Sequence, residues 1–338
     1  MSIYDLNYDE LIDYLILIGE KKYRAEQIFY WLYEKRVKSF SDMTNLSKNL
    51  IDKLNSDFNM EKLVLVNEEI DKDVNKYLFR LSDGNHIECV LMRHNYGLSL
   101  CVSSQVGCNM GCTFCESGRL KKVRNLLASE MILQIMMVEE LVGMRISHVV
   151  VMGIGEPFDN YDNIIKFINI TNFHKGLNIG ARHITISTCG IIPKIEEFSN
   201  MPFQVNLAIS LHAPNDELRS KIMPINKVYP LGDLMLALKK YVLKTNRRLT
   251  FEYILLDGIN DMDSCAYELA HLLKGMNAYV NLIPYNESSN ILYKRSKKEQ
   301  ILKFYDIMKK EGINVTIRRE FGSKISAACG QLRAKKEE

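Results

Sequence analysis

Gly107-Cys-Asn-Met-Gly-Cys-Thr-Phe-Cys115 follows closely on an apolar, strand-like run, Leu98-Ser-Leu-Cys-Val-Ser103, and this pairing decides how the rest of the chain is read. Cys108, Cys112 and Cys115 are spaced three residues and then two, so one short loop can wrap a single soft centre. Only three thiolates are supplied. Zinc prefers four ligands, commonly as two paired Cys or His units, whereas Cys89, Cys101 and Cys189 are isolated. A [4Fe–4S] cluster usually takes four protein thiolates, and three would leave one iron open to a small molecule. The spacing favours the cluster over zinc.

Outward from the loop, strand-like runs occur at Leu98–Ser103, His148–Met152, His183–Ser187, Gln204–Ser210, Leu249–Leu255 and Tyr279–Ile283. Helix-like segments at 127–142, 160–173, 192–199, 231–244, 264–274 and 298–311 separate them. Strands alternating with helices indicate parallel βαβ units. Six repeats predict an α/β fold, an incomplete and open (βα)6 barrel over residues 98–320. Reactive residues in such sheets lie at the carboxyl ends of strands, where the cysteine loop falls. The other strand ends carry Met152-Gly-Ile-Gly-Glu-Pro157, Ser187-Thr-Cys-Gly190, Ser210-Leu-His212 and Pro284-Tyr-Asn286. Glycine lets the backbone approach a ligand, and Glu156 can accept hydrogen bonds from an ammonium group. Any one of these is ordinary turn chemistry; several on one rim predict a polar ligand pocket. His212 has the residue type of a general base, but a binding role suits it better. Cys189 and Cys265 read as packing residues, and Met131, Met136 and Met137 as helix-core filler.

Residues 1–66 read as small helices, with apolar spacing over Asp9–Ile18 and Tyr23–Tyr33, a third short helix after Ser39 and Ser41, and a fourth capped by Ser47. Residues 67–97 form a short-strand connector, with Tyr77–Leu81 and His86–Met92 joined by a turn at Ser82–Asn85. The tail, 321–338, holds Cys329 among small neighbours, a setting that predicts an accessible nucleophilic thiolate. With 47% hydrophobic and 25% charged residues, the composition is that of a soluble globular protein. The N-terminus does not resemble a signal peptide, and no apolar stretch reaches membrane-spanning length. Eight unevenly spaced cysteines then predict a reducing, cytoplasmic setting and no membrane partner. A net charge of +3 is too small to argue nucleic-acid binding by its sum. Its clustering at Lys21, Lys22 and Arg24, then at Lys35, Arg36 and Lys38, could be a solvated helix surface or a phosphate contact.

From about Tyr23 to Lys335 the chain resembles the RlmN/Cfr family of radical SAM (S-adenosylmethionine) RNA methyltransferases. The likeness is carried by the cysteine loop, Gly153-Ile-Gly-Glu-Pro-Phe-Asp-Asn160, His183-Ile-Thr-Ile-Ser-Thr188, Leu207-Ala-Ile-Ser-Leu-His-Ala-Pro-Asn215, Asn281-Leu-Ile-Pro284 and Ala327-Ala-Cys-Gly-Gln-Leu332. Pro157 resembles the housekeeping branch, which makes 2-methyladenosine in 23S rRNA and in the anticodon loop of tRNA. The resistance-conferring branch typically has Ala there and methylates carbon 8.

The resemblance implies a radical SAM barrel with a [4Fe–4S] cluster on Cys108, Cys112 and Cys115. It implies SAM contacts from Gly155, Glu156, Ser187, Ser210, Leu211, His212 and Asn286, with two SAM molecules consumed per methylation. It further implies that Cys329 carries the methyl carbon, that Cys101 releases the product through a transient disulfide, and that Glu88 accepts a proton. Without the likeness, Glu88 reads as a solvent-facing strand residue. RNA and an electron donor of flavodoxin or ferredoxin type are the implied partners, with residues 1–66 gripping RNA. The chain departs from the family pattern at Ser326, Cys189 and Glu116-Ser-Gly118. A small-molecule radical SAM enzyme would leave Cys329 and Cys101 unexplained, and a metal-stabilised RNA-binding module is the non-enzymatic alternative.

Overall fold

Short amphipathic helices open the chain, and their caps explain their limits. In the computed structural model, which describes residues 1–288, 291–318 and 332, α1 spans Tyr8–Leu17. Asn7 and Glu10 close its first turn reciprocally, each backbone N–H reaching the other side chain at 2.9 Å. Next come α2 (Arg24–Phe29), which runs on as a π turn to Lys35, and α3 (Lys48–Asp57), capped by Ser47. The segment after Ser39 is a single 3-10 turn, Phe40–Asp42, its start closed by a Ser39–Asp42 capping box.

The next strands are β1 (Val64–Asp71), β2 (Val74–Arg80), β3 (His86–His94) and β4 (Gly97–Cys101), joined as an antiparallel ladder. A small ribbon, β5 (Gln105–Val106) with β6 (Arg124–Asn125), brackets the cysteine loop. The alternating part then runs α4 (Ala128–Val142), β7 (His148–Val151), α5 (Tyr161–Asn172), β8 (Ile184–Thr188), α6 (Ile192–Phe198) and β9 (Asn206–Ser210). It continues through α7 (Asp216–Ile222), α8 (Leu231–Thr245), β10 (Leu249–Leu255), α9 (Asp263–Leu273), β11 (Ala278–Pro284), α10 (Lys298–Lys310) and β12 (Asn314–Ile317).

One sheet takes the order β1-β2-β3-β4-β7-β8-β9-β10-β11-β12, and every neighbouring pair from β4 onward is parallel. The six strands expected from the sequence are all in place. Besides the β5–β6 ribbon, two elements of the alternating part were not anticipated: α7 is short and charged, and β12 buries only Val315. The antiparallel strands over 67–97 are hydrogen-bonded into the barrel sheet.

Side chains alternate across each strand. The outward set, including Val149, Ile186, Leu207, Phe251 and Val280, packs beneath the helices in a core that also takes in Tyr4, Leu11, Phe29 and Leu50. The N-terminal helices sit against α4 and α5. The Tyr8 ring lies 4.6 Å from Phe173, and Lys175 pairs with Glu26 at 2.7 Å. Leu127, which precedes α4, offers no capping side chain; buried Asp5 accepts from the Ser129 N–H at 2.9 Å instead. Among the described residues, no helix is long and apolar enough to cross a membrane.

Candidate active site

Backbone contacts fix the cysteine loop from both sides. Cys108 N–H donates to the Leu120 carbonyl and Thr113 N–H to the Ile222 carbonyl, each at 3.0 Å, while Cys115 N–H reaches the Cys112 carbonyl at 3.2 Å. Gly118 backs the loop so closely that a Cβ would stand 2.7 Å from the Cys112 oxygen. The three cysteines border one cavity with Gly155, Glu156, Ser187, Ser210 and His212; it holds about 880 Å³, open mouth included. Burial pushes the Cys108 thiol up to about 12 and the Cys112 thiol well above its usual range. Sulfurs in such surroundings stay protonated until a cation takes them. Among the described residues, no three His, Cys, Asp or Glu side chains converge on a single metal ion. In a cubane each thiolate binds a different iron, so its ligands stand farther apart. Three cysteines of one loop at the border of one cavity fit such a cluster, each thiolate taking one iron.

The turn after β7 presses against the exit of β4. Gly155 has φ +113°, and a Cβ there would lie 2.7 Å from the Gln105 Cβ. Gln105 accepts from the Glu156 N–H at 2.9 Å. Glu156 is buried, and its Oε1 accepts from the Thr188 hydroxyl at 2.6 Å and from the Phe158 N–H at 3.0 Å. Its Oε2 accepts from the Cys189 N–H at 2.9 Å, which leaves lone-pair capacity for an ammonium. Burial raises the Glu156 pKa, against the pull of these bonds. Ser187 and Ser210 stand side by side on β8 and β9, with hydroxyl oxygens 3.3 Å apart.

His212 takes a left-handed backbone, φ 58°, and its Nδ1 accepts from the Ile254 N–H at 3.0 Å. The ring proton therefore belongs on Nε2. Burial, then the Arg219 charge, lowers its pKa to about 3. A neutral N–H donor suits binding better than proton abstraction. Two residues of the expected SAM set stand apart from the cavity wall. Leu211 is fully buried in the core, and Asn286 follows β11. Asn286 Oδ1 and the Tyr285 hydroxyl are nevertheless buried without hydrogen-bond partners, polar atoms that a ligand could satisfy.

Sheet register puts Cys101 opposite Val90, and Glu88 lies two residues away on the same inward face. Cys89 points the other way, into the core. Cys101 packs with Val74, Val90, Met92, Ile154 and Leu332, and the Leu332 carbonyl accepts from the Ser117 hydroxyl at 2.8 Å. One residue of the tail thus touches both the Cys101 cluster and the end of the cysteine loop. Cys329 itself lies outside the described residues. Glu88 is not solvent-facing: it is buried between flanking strands and ion-paired to Lys76 at 3.5 Å, a lysine that also holds Glu69.

Other residues of the site carry no mark in the sequence. Arg219 is completely buried and donates to the carbonyls of Cys189 (2.6 Å) and Leu211 (3.2 Å) and to Asn226 Oδ1 (2.9 Å). It ties the ends of β8 and β9 together. Glu252, raised in pKa by burial, borders the cavity with Arg318 and accepts from Asn281 at 2.8 Å. Cys189 packs in a small hydrophobic cluster, as expected, at the border of the cavity. Glu116, one of the departures, is buried and bound by the Ser288 hydroxyl.

An open parallel barrel with a three-cysteine loop after its first parallel strand defines a radical SAM protein, and residues 102–270 match the Radical SAM superfamily. Residues 1–60 match the family described as ribosomal RNA large subunit methyltransferase N-terminal domain. A relative from Enterococcus faecalis, named probable dual-specificity RNA methyltransferase RlmN, is 56% identical over 99% of this chain and 96% of its own length. One of the same name from Listeria monocytogenes is 57% identical over 99% and 94%. The crystal structure of a radical SAM methyltransferase from Sphaerobacter thermophilus superposes with a TM-score of 0.94 at 44% identity, covering 99% of this chain and 100% of that one. The chain belongs to the RlmN family.

Proposed function

We propose that the chain methylates carbon 2 of adenine in 23S rRNA and in tRNA, using Cys329 to carry the methyl carbon. Adenine carbon 2 is electron-poor and cannot attack a methyl donor directly. A bound [4Fe–4S] cluster and two SAM molecules per turnover would supply the methyl group and the radical chemistry that avoids this problem. Cys108, Cys112 and Cys115 hold the cluster. Glu156, the serine pair and the neutral His212 orient SAM within the cavity. Cys329 takes up the methyl group as a nucleophile and later presents its carbon to the base. Glu88 accepts the proton that leaves the adenine. Once the adduct has given up its unpaired electron, which a bound cluster would accept, Cys101 attacks the Cys329 sulfur, forming an S–S bond; the base keeps the electrons of the broken C–S bond and takes up a proton at that carbon to complete the methyl group. A flavodoxin- or ferredoxin-type donor in a reducing cytoplasm would provide electrons.

The observation that supports this reading is the convergence of three cysteines, Glu156, Ser187, Ser210 and His212 on one cavity, with Cys101 and Glu88 on the adjoining inward face. Nucleoside mass spectrometry of rRNA and tRNA from a deletion strain and its complemented form tests it. Loss of 2-methyladenosine from both RNAs, restored by complementation, is expected. Its persistence in both, or loss of 8-methyladenosine instead, would overturn the assignment.

A further inference from the structure

A second recess opens at the amino ends of the strands, opposite the cysteine loop. It lies among the starts of β8, β9 and β10 and holds about 1830 Å³, open mouth included. Arg182, Lys244, Arg247 and Arg248 border it, and no carboxylate does. None of these four cations forms an ion pair among the described residues. Arg248 stacks over the Tyr279 ring at 4.8 Å, and Arg247 is held by the Phe203 carbonyl at 3.0 Å, so both guanidinium groups are positioned at the rim.

The recess and the cysteine cavity lie along the same inward faces of β8 and β10. Thr185 and Thr250 line the recess, while Ser187 and Glu252, two residues further along the same strands, line the cavity. Two residues of strand rise about 7 Å. A ladder of rings continues the rim across β4, β7 and β8: His94 to Tyr96 at 4.6 Å, Tyr96 to His148 at 5.0 Å, and His148 to His183 at 4.3 Å. Tyr96 is 66% exposed.

Single-stranded RNA is held by cations along its backbone and by aromatic faces on which unpaired bases stack. We propose that this amino-end face grips the RNA strand carrying the target adenine. Arg182, Lys244, Arg247 and Arg248 take the flanking phosphates, a neighbouring base stacks on Tyr96, and the target base enters the lumen toward Glu252. The proposal rests on the methyltransferase reading above.

The test uses the cluster-loaded full chain and an anticodon stem-loop RNA. Replacing Lys244, Arg247 and Arg248 together with Gln removes about three phosphate contacts. The slope of log affinity against log salt should become shallower by about 2, with binding roughly 50-fold weaker near physiological salt. Tyr96→Ala should weaken binding about tenfold with the slope unchanged. RNA-independent SAM cleavage and the thermal midpoint should hold in both variants. Wild-type affinity and slope in the triple variant, while the wild type methylates the RNA, would overturn the docking face alone. A defect confined to reductant-driven SAM cleavage would assign the face to an acidic electron donor and overturn it too. A wild type that neither binds nor methylates the RNA removes the underlying reading.

Discussion

Replacing His212 with Asn isolates the energetic consequence of keeping this ring neutral. In the unfolded chain the imidazole titrates near 6.5, whereas in the fold burial and Arg219 lower it to about 3. Between those values the unfolded chain binds one more proton than the folded one, so stability falls as pH falls. The contribution is fully present above about pH 6.5. By about pH 5 it has dropped by RT ln(1 + 10^1.5), about 2 kcal/mol. Asn is the informative substitute. Its Oδ1 can accept the Ile254 N–H in place of Nδ1, it tolerates the left-handed backbone, and it does not titrate. Losing the edge contact with Phe114 (4.9 Å) lowers stability equally at both pH values and cancels in the difference. Urea unfolding of the cluster-free protein at about pH 7.5 and about pH 5 should show wild type losing about 2 kcal/mol more than the variant. Parallel losses would mean that the ring is protonated in the fold, and the argument for a neutral N–H donor would fail.

Serine at any of Cys108, Cys112 or Cys115 should abolish cluster assembly and all SAM cleavage, because a hydroxyl is a far poorer iron ligand; iron and sulfide analysis showing a full cluster would contradict the assignment. Cys101→Ala should still load and join Cys329 to adenine but stall there, so a nuclease-sensitive protein–RNA adduct accumulates on gels and vanishes in the Cys101→Ala, Cys329→Ala double variant. Normal turnover without adduct would rule out the resolving role. Gly155→Ala drives a Cβ toward Gln105 at φ +113°, and should cost about 1–3 kcal/mol and weaken SAM binding; an unchanged urea midpoint would show that the turn has slack. Arg219→Met strips donors from the Cys189 and Leu211 carbonyls and from Asn226, and should cost about 1–3 kcal/mol for each acceptor left buried and unpaired, with a parallel drop in SAM affinity. A thermal midpoint equal to wild type would remove its role as a clamp.

What the sequence made legible was whatever repeats or clusters within a few residues. The parallel strands stand out because each is an apolar run bounded by turn residues, and the cysteine loop because its ligands are local. Glu88 was placed by family likeness alone; its burial depends on β2 and β4 lying on either side, which no local pattern encodes. Arg219 sits in a short, charged helix and looks like a solvated surface residue, yet its partners come from strand ends 8 and 30 positions away. Glu252 is legible only once register shows that it alternates inward with Thr250 and Ile254. Nor does a local pattern tell which cations of the basic front have partners. Arg24 is held by Gln27 and Asn45, and Arg36 by Glu139, whereas Lys21, Lys22, Lys35 and Lys38 remain exposed.

Asp5 at the start of α4 sets a constraint on biosynthesis. Ile3 to Asp5 leave the ribosome long before the helix that begins at Ala128, against which they complete their packing, and Tyr8 waits for Phe173. At translation speeds of about 5–20 residues per second, the N-terminal helices spend on the order of ten to thirty seconds with their apolar faces open. A fragment ending near residue 60 would keep those faces open permanently. Expressed alone it should aggregate or recruit chaperones, whereas a fragment running through α5 should be considerably more soluble.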